Sequence, residues 1–276
     1  MRRLYILLTI IILSNVCAFA QKKEKIKGSK FVTISQVDIE NFDTLEVLDD
    51  LEVYLVLGEK NQIEIEADDN LHDILNRNLS GNKLTLSTNK QATGAKKFQV
   101  RVIYTQSLKL IEVKNDAQIN ALLDLQVPNV TIKNFDYSKS FLNVNSPTFT
   151  LILADKSKAE LNLKTENASL ELNRNGNLKA LITANSLKID MYAKASATIE
   201  GDVDKGKIRL EGDANFTGKN LTFNNLELAT ESFAKASVLT TGTLNISAIG
   251  KSEIEIYGAP SYNIKKFADK ATLYKK

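Results

Sequence analysis

Residues 151–189 read LILADKSKAELNLKTENASLELNRNGNLKALITANSLKI. In this stretch an aliphatic residue followed two positions on by another recurs as Leu151/Leu153, Leu170/Leu172 and Leu187/Ile189. Working outward, the same pair precedes it at Leu108/Leu110 and Val130/Ile132, and follows it at Ile208/Leu210, Leu226/Leu228 and Leu244/Ile246, with spacings of 22, 21, 19, 17, 21, 18 and 18 residues. A second apolar position trails each pair: Ile119, Leu142, Leu163, Ile182, Ile199, Leu221, Val238 and Ile256. Alternation with period two marks a half-buried strand, and self-similarity near twenty residues marks a solenoid. The spacing therefore predicts an all-β, single-stranded β-helix or β-solenoid of 17–22 residues per coil over residues 108–258.

Turn-forming clusters separate the strands, among them Lys114-Asn115-Asp116-Ala117, Asn173-Arg174-Asn175-Gly176 and Glu211-Gly212-Asp213-Ala214. Asn, Asp, Gly and Ser suit tight corners because they tolerate left-handed backbone or bond it with short side chains. The residues between each inward pair are expected to stack in an outer row: Lys109, Thr131, Ile152, Glu171, Lys188, Arg209, Glu227 and Asn245. In that row Glu171 would meet Lys188, and Arg209 would meet Glu227, pairs that favour correct register.

Residues 31–107 also alternate, at Phe42–Val47, Val53–Leu57, Ile63–Ala67, Leu84–Leu86 and Phe98–Tyr104, so they form an N-terminal β-rich part. One helix interrupts it. Leu71, Ile74, Leu75 and Leu79 follow Asp68-Asp69 at helical spacing and predict a helix over 69–79, ended by Ser80-Gly81-Asn82. Residues 21–30 are a Lys-rich, solvated leader, and 259–276 are expected to fold over the last coil as a cap, with Pro260 halting strand pairing.

The chain opens with Met1-Arg2-Arg3, an apolar run from Leu4 to Leu13, and Ala18-Phe19-Ala20 before Gln21. A basic start, a short apolar segment and small residues around a cleavage site predict a signal peptide over 1–20, hence export to the periplasm, the outer-membrane surface or the medium. Ten apolar residues are too few to span a bilayer, which takes about 20. Cleavage removes Arg2, Arg3 and Cys17, leaving 34 basic against 33 acidic residues and no thiol. A near-neutral mature chain is no bulk-charge polyanion binder, so nucleic acid is not an expected partner. No second long apolar segment follows, so no transmembrane segment is expected in the mature chain.

Chemistry is sparse. His72 is the only histidine, Trp is absent, and no phosphate-cradling loop, EF-hand loop or zinc-protease motif occurs. Asp49-Asp50 and Asp68-Asp69 are oxygen pairs of the kind that ligate Ca²⁺, but turn or helix-start roles explain them as well. The residues therefore nominate no catalytic, cofactor-binding or metal-binding side chain.

Phe42-Asp43-Thr44-Leu45-Glu46-Val47, Val53–Gly58, Ile63–Leu71 and Leu84-Thr85-Leu86, with Tyr257-Gly258-Ala259-Pro260 near the end, resemble the head GIN domain family of exported bacterial proteins named as auto-transporter adhesins. The resemblance implies a β-solenoid from about Phe42 onward and carries no catalytic or ligand residues. The expected function is thus a non-enzymatic envelope or surface protein, adhesive or scaffolding, with a surface glycan or protein as partner. The alternatives are a carbohydrate-binding or carbohydrate-cleaving β-helix, and a periplasmic assembly or stress factor. Mature protein from the native host is expected to begin at Gln21; N-terminal sequencing that instead finds a lipid-bearing Cys17 would make it an anchored lipoprotein.

Overall fold

The computed structural model describes residues 23–276, so the expected signal peptide 1–20 and its cleavage site lie outside the described residues. The chain winds into a β-solenoid of about 9 turns. Each regular coil gives one strand to each of two facing parallel sheets, here called A and B. Sheet A contains Leu110–Val113, Asn129–Asn134 and Thr148–Leu153; sheet B contains Gln118–Leu125 and Lys139–Asn145. From Lys158 onward one long strand bends from B into A in every coil: Lys158–Leu172, Asn177–Met191, Ser196–Leu210, Asn215–Thr230 and Lys235–Ala248.

Backbone register gives the true coil length. Leu151 lies against Leu170, then Ile189, Ile208, Leu228 and Ile246, steps of 19, 19, 19, 20 and 18 residues. All six side chains are buried, as are Leu153, Leu172 and Leu210. The spacing of 17 in the sequence came from joining different positions of a three-residue inward row, since Leu187, Ile189 and Met191 are all buried. The first pair was also out of phase. Ile111 and Val113 face the core, while Leu110 aligns with Thr44 on the outer side.

The single outer row resolves into two for the same reason. Ser169, Lys188, Lys207, Glu227 and Asn245 align in one, and Glu171, Asp190 and Arg209 in the other. The expected Glu171–Lys188 and Arg209–Glu227 pairs therefore do not form. Lys188 pairs with Asp190 at 2.6 Å along its own strand, and Lys207 reaches Glu227 at 3.8 Å.

One corner repeats along the whole stack. Asp49, Asn115, Asp136, Asp155, Arg174, Ala193, Gly212, Ser232, Gly250 and Asp269 all have φ between 58° and 79°. Two positions later comes a buried residue, Leu51 in the first coil and a small one after it, among them Ala117, Ser138, Ser157, Ala195, Ala214, Ala234 and Ser252. Asn and Asp add a link between coils: the Asp49 N–H donates to Asn115 Oδ1 at 3.0 Å, and the Asn115 N–H to Asp136 Oδ2 at 2.9 Å. The prolines mark the opposite corner. Pro128, Pro147 and Pro260 each immediately precede a sheet A strand, where their missing N–H breaks no ladder bond.

The N-terminal end is closed by antiparallel strands. Gln62–Asp68 lies between Val32–Asp38 and Phe98–Tyr104, and Leu75–Ser80 pairs with Lys83–Thr88. The helix expected over 69–79 is a 3₁₀ helix at Asp69–Ile74 followed by the strand Leu75–Ser80. A four-residue spacing such as Leu75 to Leu79 fits one face of a strand as well as a helix. Asn76 and Asn78 are poor residues for a helix interior, and Gly81 at φ 57° turns the hairpin. Leu71 and Ile74 are buried over the core.

The Lys-rich segment is fastened rather than loose. Lys25–Lys27 pairs in parallel with Gln91–Thr93, and Asp68, fully buried, accepts backbone N–H bonds from Lys30 at 2.9 Å, Lys96 at 3.1 Å and Lys97 at 3.0 Å. Burial pushes the Asp68 carboxyl up, but these donors outweigh it and hold it below the usual carboxylate range.

The C-terminal segment does not cap the stack. Ser261–Phe267 and Thr272–Lys275 continue sheets A and B as a further coil, and Ala268–Ala271 repeats the left-handed corner with Asp269. Pro260 sits at the corner before the strand and so does not halt pairing.

Two outcomes are expected. Asp68→Asn should free the Lys25–Lys30 segment, read as faster tryptic cleavage there; because the folded pKa is depressed, wild type should hold it above the ordinary aspartate range and release it as pH falls through the lowered value. Unchanged cleavage in the variant would contradict the fastening. Deleting residues 261–276, which carry Lys265, Lys266, Lys270, Lys275 and Lys276, should expose Leu244, Ile246 and Ile254 along an edge free of these charges and cause end-to-end association in light scattering; a monodisperse monomer would count against it.

Candidate functional site

The histidine and the acidic pairs singled out in the sequence make structural bonds. His72 lies between two hydroxyls, its Nε2 at 2.9 Å from Thr33 Oγ1 and its Nδ1 at 2.9 Å from Ser35 Oγ. Both ring nitrogens thereby tie the strand Val32–Asp38 to the 3₁₀ helix. Asp49 accepts the Thr88 N–H at 2.7 Å and pairs with the Lys23 ammonium at 2.5 Å, so a lysine stands where a cation would sit. Asp68 is ringed by donors, the reverse of a cation site, and Asp69 is bonded by the Ser29 hydroxyl. Among the described residues no group of three or more His, Cys, Asp or Glu converges as metal ligands.

The surface feature that stands out is a bulge on sheet B. Along the ladder between Gln118–Leu125 and Lys139–Asn145, Ala121 aligns with Leu142 but Leu125 with Val144. Two residues are therefore extra, and Leu122 and Leu123 are pushed into solvent, 67% and 75% exposed. Asn143 pins the bulge by donating to the carbonyls of Ala121 at 3.3 Å and Leu122 at 2.9 Å. Bulges of this kind re-aim side chains on an otherwise regular sheet.

Beside it runs an open groove of about 480 Å³, with Leu122, Phe141 and Leu181 as apolar lining and Asn162, Glu160 and Glu200 as polar groups. Leu181 is 51% exposed. Sheet A carries a second hollow of about 370 Å³, where Lys188, Lys207, Arg209 and Tyr192 surround Ala229. Its charges are already matched, since Arg209 bonds Glu211 at 3.2 Å and lies 5.9 Å from the Tyr192 ring. The sheet B groove is thus the better candidate for contact with another molecule: it exposes large apolar side chains on a rigid ladder and keeps amides and carboxylates within reach.

The reading of the sequence did not single out Leu122 and Leu123, although a signal was present. Ile111 to Ile132 spans 21 residues against 19 for the regular coils, and Leu122-Leu123 breaks the alternation.

Comparison with known proteins agrees with the solenoid fold. Two solved structures are described as putative adhesins: one from Parabacteroides merdae (17% identity, TM-score 0.67, covering 92% of this chain and 99% of that one) and one from Parabacteroides distasonis (18% identity, TM-score 0.65, covering 92% and 98%). A third, from Parabacteroides distasonis, is described as a putative lipid binding protein (16% identity, TM-score 0.63, covering 92% and 100%). At such identities these likenesses show the shared fold. No curated protein matches the sequence. Residues 41–260 match the family described as "Putative auto-transporter adhesin, head GIN domain", and the chain belongs to that family.

Proposed function

We propose that the protein is an exported, non-enzymatic β-solenoid of the bacterial envelope or cell surface, which holds a partner surface against the outer face of sheet B. The observation that carries this reading is the bulge-lipped groove: Leu122, Leu123 and Leu181 stand exposed on a regular ladder that has no other use for them. Family membership supports an adhesive role, and the sequence supports export through Ala18-Phe19-Ala20. Apolar patches rimmed by polar groups serve recognition of another protein or of a sugar face, and a solenoid keeps them fixed in space.

The experiment pairs location with contact. Protease treatment of intact cells should remove the protein, and survival of the full-length chain until the outer membrane is opened would rule out surface display. Leu122→Asp with Leu123→Asp should shift stability by no more than about 0.5 kcal/mol each, because both side chains are exposed, while lowering adhesion of displaying cells several-fold. Unchanged adhesion would move the contact away from sheet B.

A further inference from the structure

The two ends of the solenoid are built differently. At the N-terminal end the 3₁₀ helix buries Leu71 and Ile74 over the core. At the C-terminal end no described residue covers the last coil. Tyr262, Ile264 and Phe267 stand in register with the buried Leu244, Ile246 and Ala248, so they occupy core rows. They are nevertheless 48%, 51% and 46% exposed. Leu273, aligned with Ile254, is only partly buried. The strands Ser261–Phe267 and Thr272–Lys275 are each paired along one side only. Unpaired N–H and C=O groups bordering an open apolar core are what strand addition uses.

Charge selects the strand that fits. Lys265, Lys266, Lys270, Lys275 and Lys276 lie in this coil, and Asp269 is the sole acidic side chain between residues 261 and 276. Lys276 is already paired with Glu255 at 3.1 Å. Lys275 aligns with the core residue Ile256, which puts a cation in a core row. Lys265 forms a bulge, because Ile264 pairs with Ile246 but Lys266 with Ser247. An inward charge and an edge bulge are both features that reject indiscriminate pairing. A second copy docked end to end would bring the same lysines and be repelled. A wholly apolar strand would leave Lys275 buried without a partner, which is costly. A strand alternating apolar and acidic residues meets both the core rows and the cations.

We propose that the C-terminal coil is a docking edge for an extended acidic–apolar segment of a partner protein, which adds a further rung to the solenoid, with the lysines excluding self-association. This edge is separate from the sheet B groove and stands whether or not that groove is adhesive.

The test uses the purified full-length exported chain and two blocked, dye-labelled peptides, one alternating valine with glutamate and one valine with lysine. At about 0.15 M salt, where exposed charges beyond roughly 8 Å are screened, the valine–glutamate peptide should bind on the order of tenfold more tightly than the valine–lysine one. Lys265→Glu with Lys266→Glu and Lys275→Glu should reverse that order, and Ile264→Asp should abolish binding of both. The reversed variant and the wild type should each sediment as monomers and associate when mixed, a readout that needs no peptide. Leu122→Asp should leave peptide binding unchanged. Equal binding of the two peptides, an unaffected order in the lysine variants, or wild-type protein that sediments as a stable oligomer, whether paired through these edges or onto the exposed Phe31 and Ile34 of the opposite end, would overturn the proposal.

Discussion

Everything in this molecule depends on the in-register parallel ladder by which each coil takes up the backbone N–H and C=O groups of the next. Such groups are costly to bury unpaired. A coil is therefore free to vary only in ways that return its chain to the same place about 4.8 Å further along. The left-handed corner is where this demand is most visible. Gly212 and Gly250 meet it without strain, and Asn115 and Asp136 meet it while bonding across coils. Arg174 lacks the freedom of glycine but reaches Asp155 of the preceding coil with its guanidinium, and Ala193 has neither advantage, yet they take φ of 59° and 58°. Left-handed backbone disfavours such residues by about 1–2 kcal/mol, and the ladder on either side outweighs that preference.

Inside the ladder the constraint becomes one of volume shared between rungs. Gly206 occupies a core row between Leu187 and Leu226, and a Cβ there would lie 2.4 Å from the Phe223 ring. Gly218 makes room in the same way for Phe216. Phe216 and Phe223 are both fully buried. Large rings and missing side chains are thus matched within a rung or between adjacent rungs, so the core stays filled although no two coils share a sequence.

How much of this can be read without coordinates follows from the same physics. The alternation of Val130/Ile132 or Leu244/Ile246 is a local property of a strand, and it identified the solenoid. Phase is not local: Leu108, Leu110, Ile111 and Val113 offer two alternating sets, and only pairing with Thr44–Val47 chooses between them. The ends differ from the expectation because edge behaviour is set by what lies beyond. Pro260 looks like a terminator in isolation but occupies the corner that Pro128 and Pro147 occupy in earlier coils. The Leu122-Leu123 bulge left its trace in a longer coil, whereas the use of Asp68 by three distant amides left none.

The fastening of the N-terminal segment sets a direction for the whole rod. Lys23 is held against Asp49 and Thr88 beside the first coil, while the last coil lies at the other end of about 9 turns. At about 4.8 Å per rung, the far end stands some 40 Å from the point where the chain enters the fold. A tether attached at Lys23 would therefore sit at the base of a spacer with a fixed length and would project the sheet faces sideways and the final coil outward.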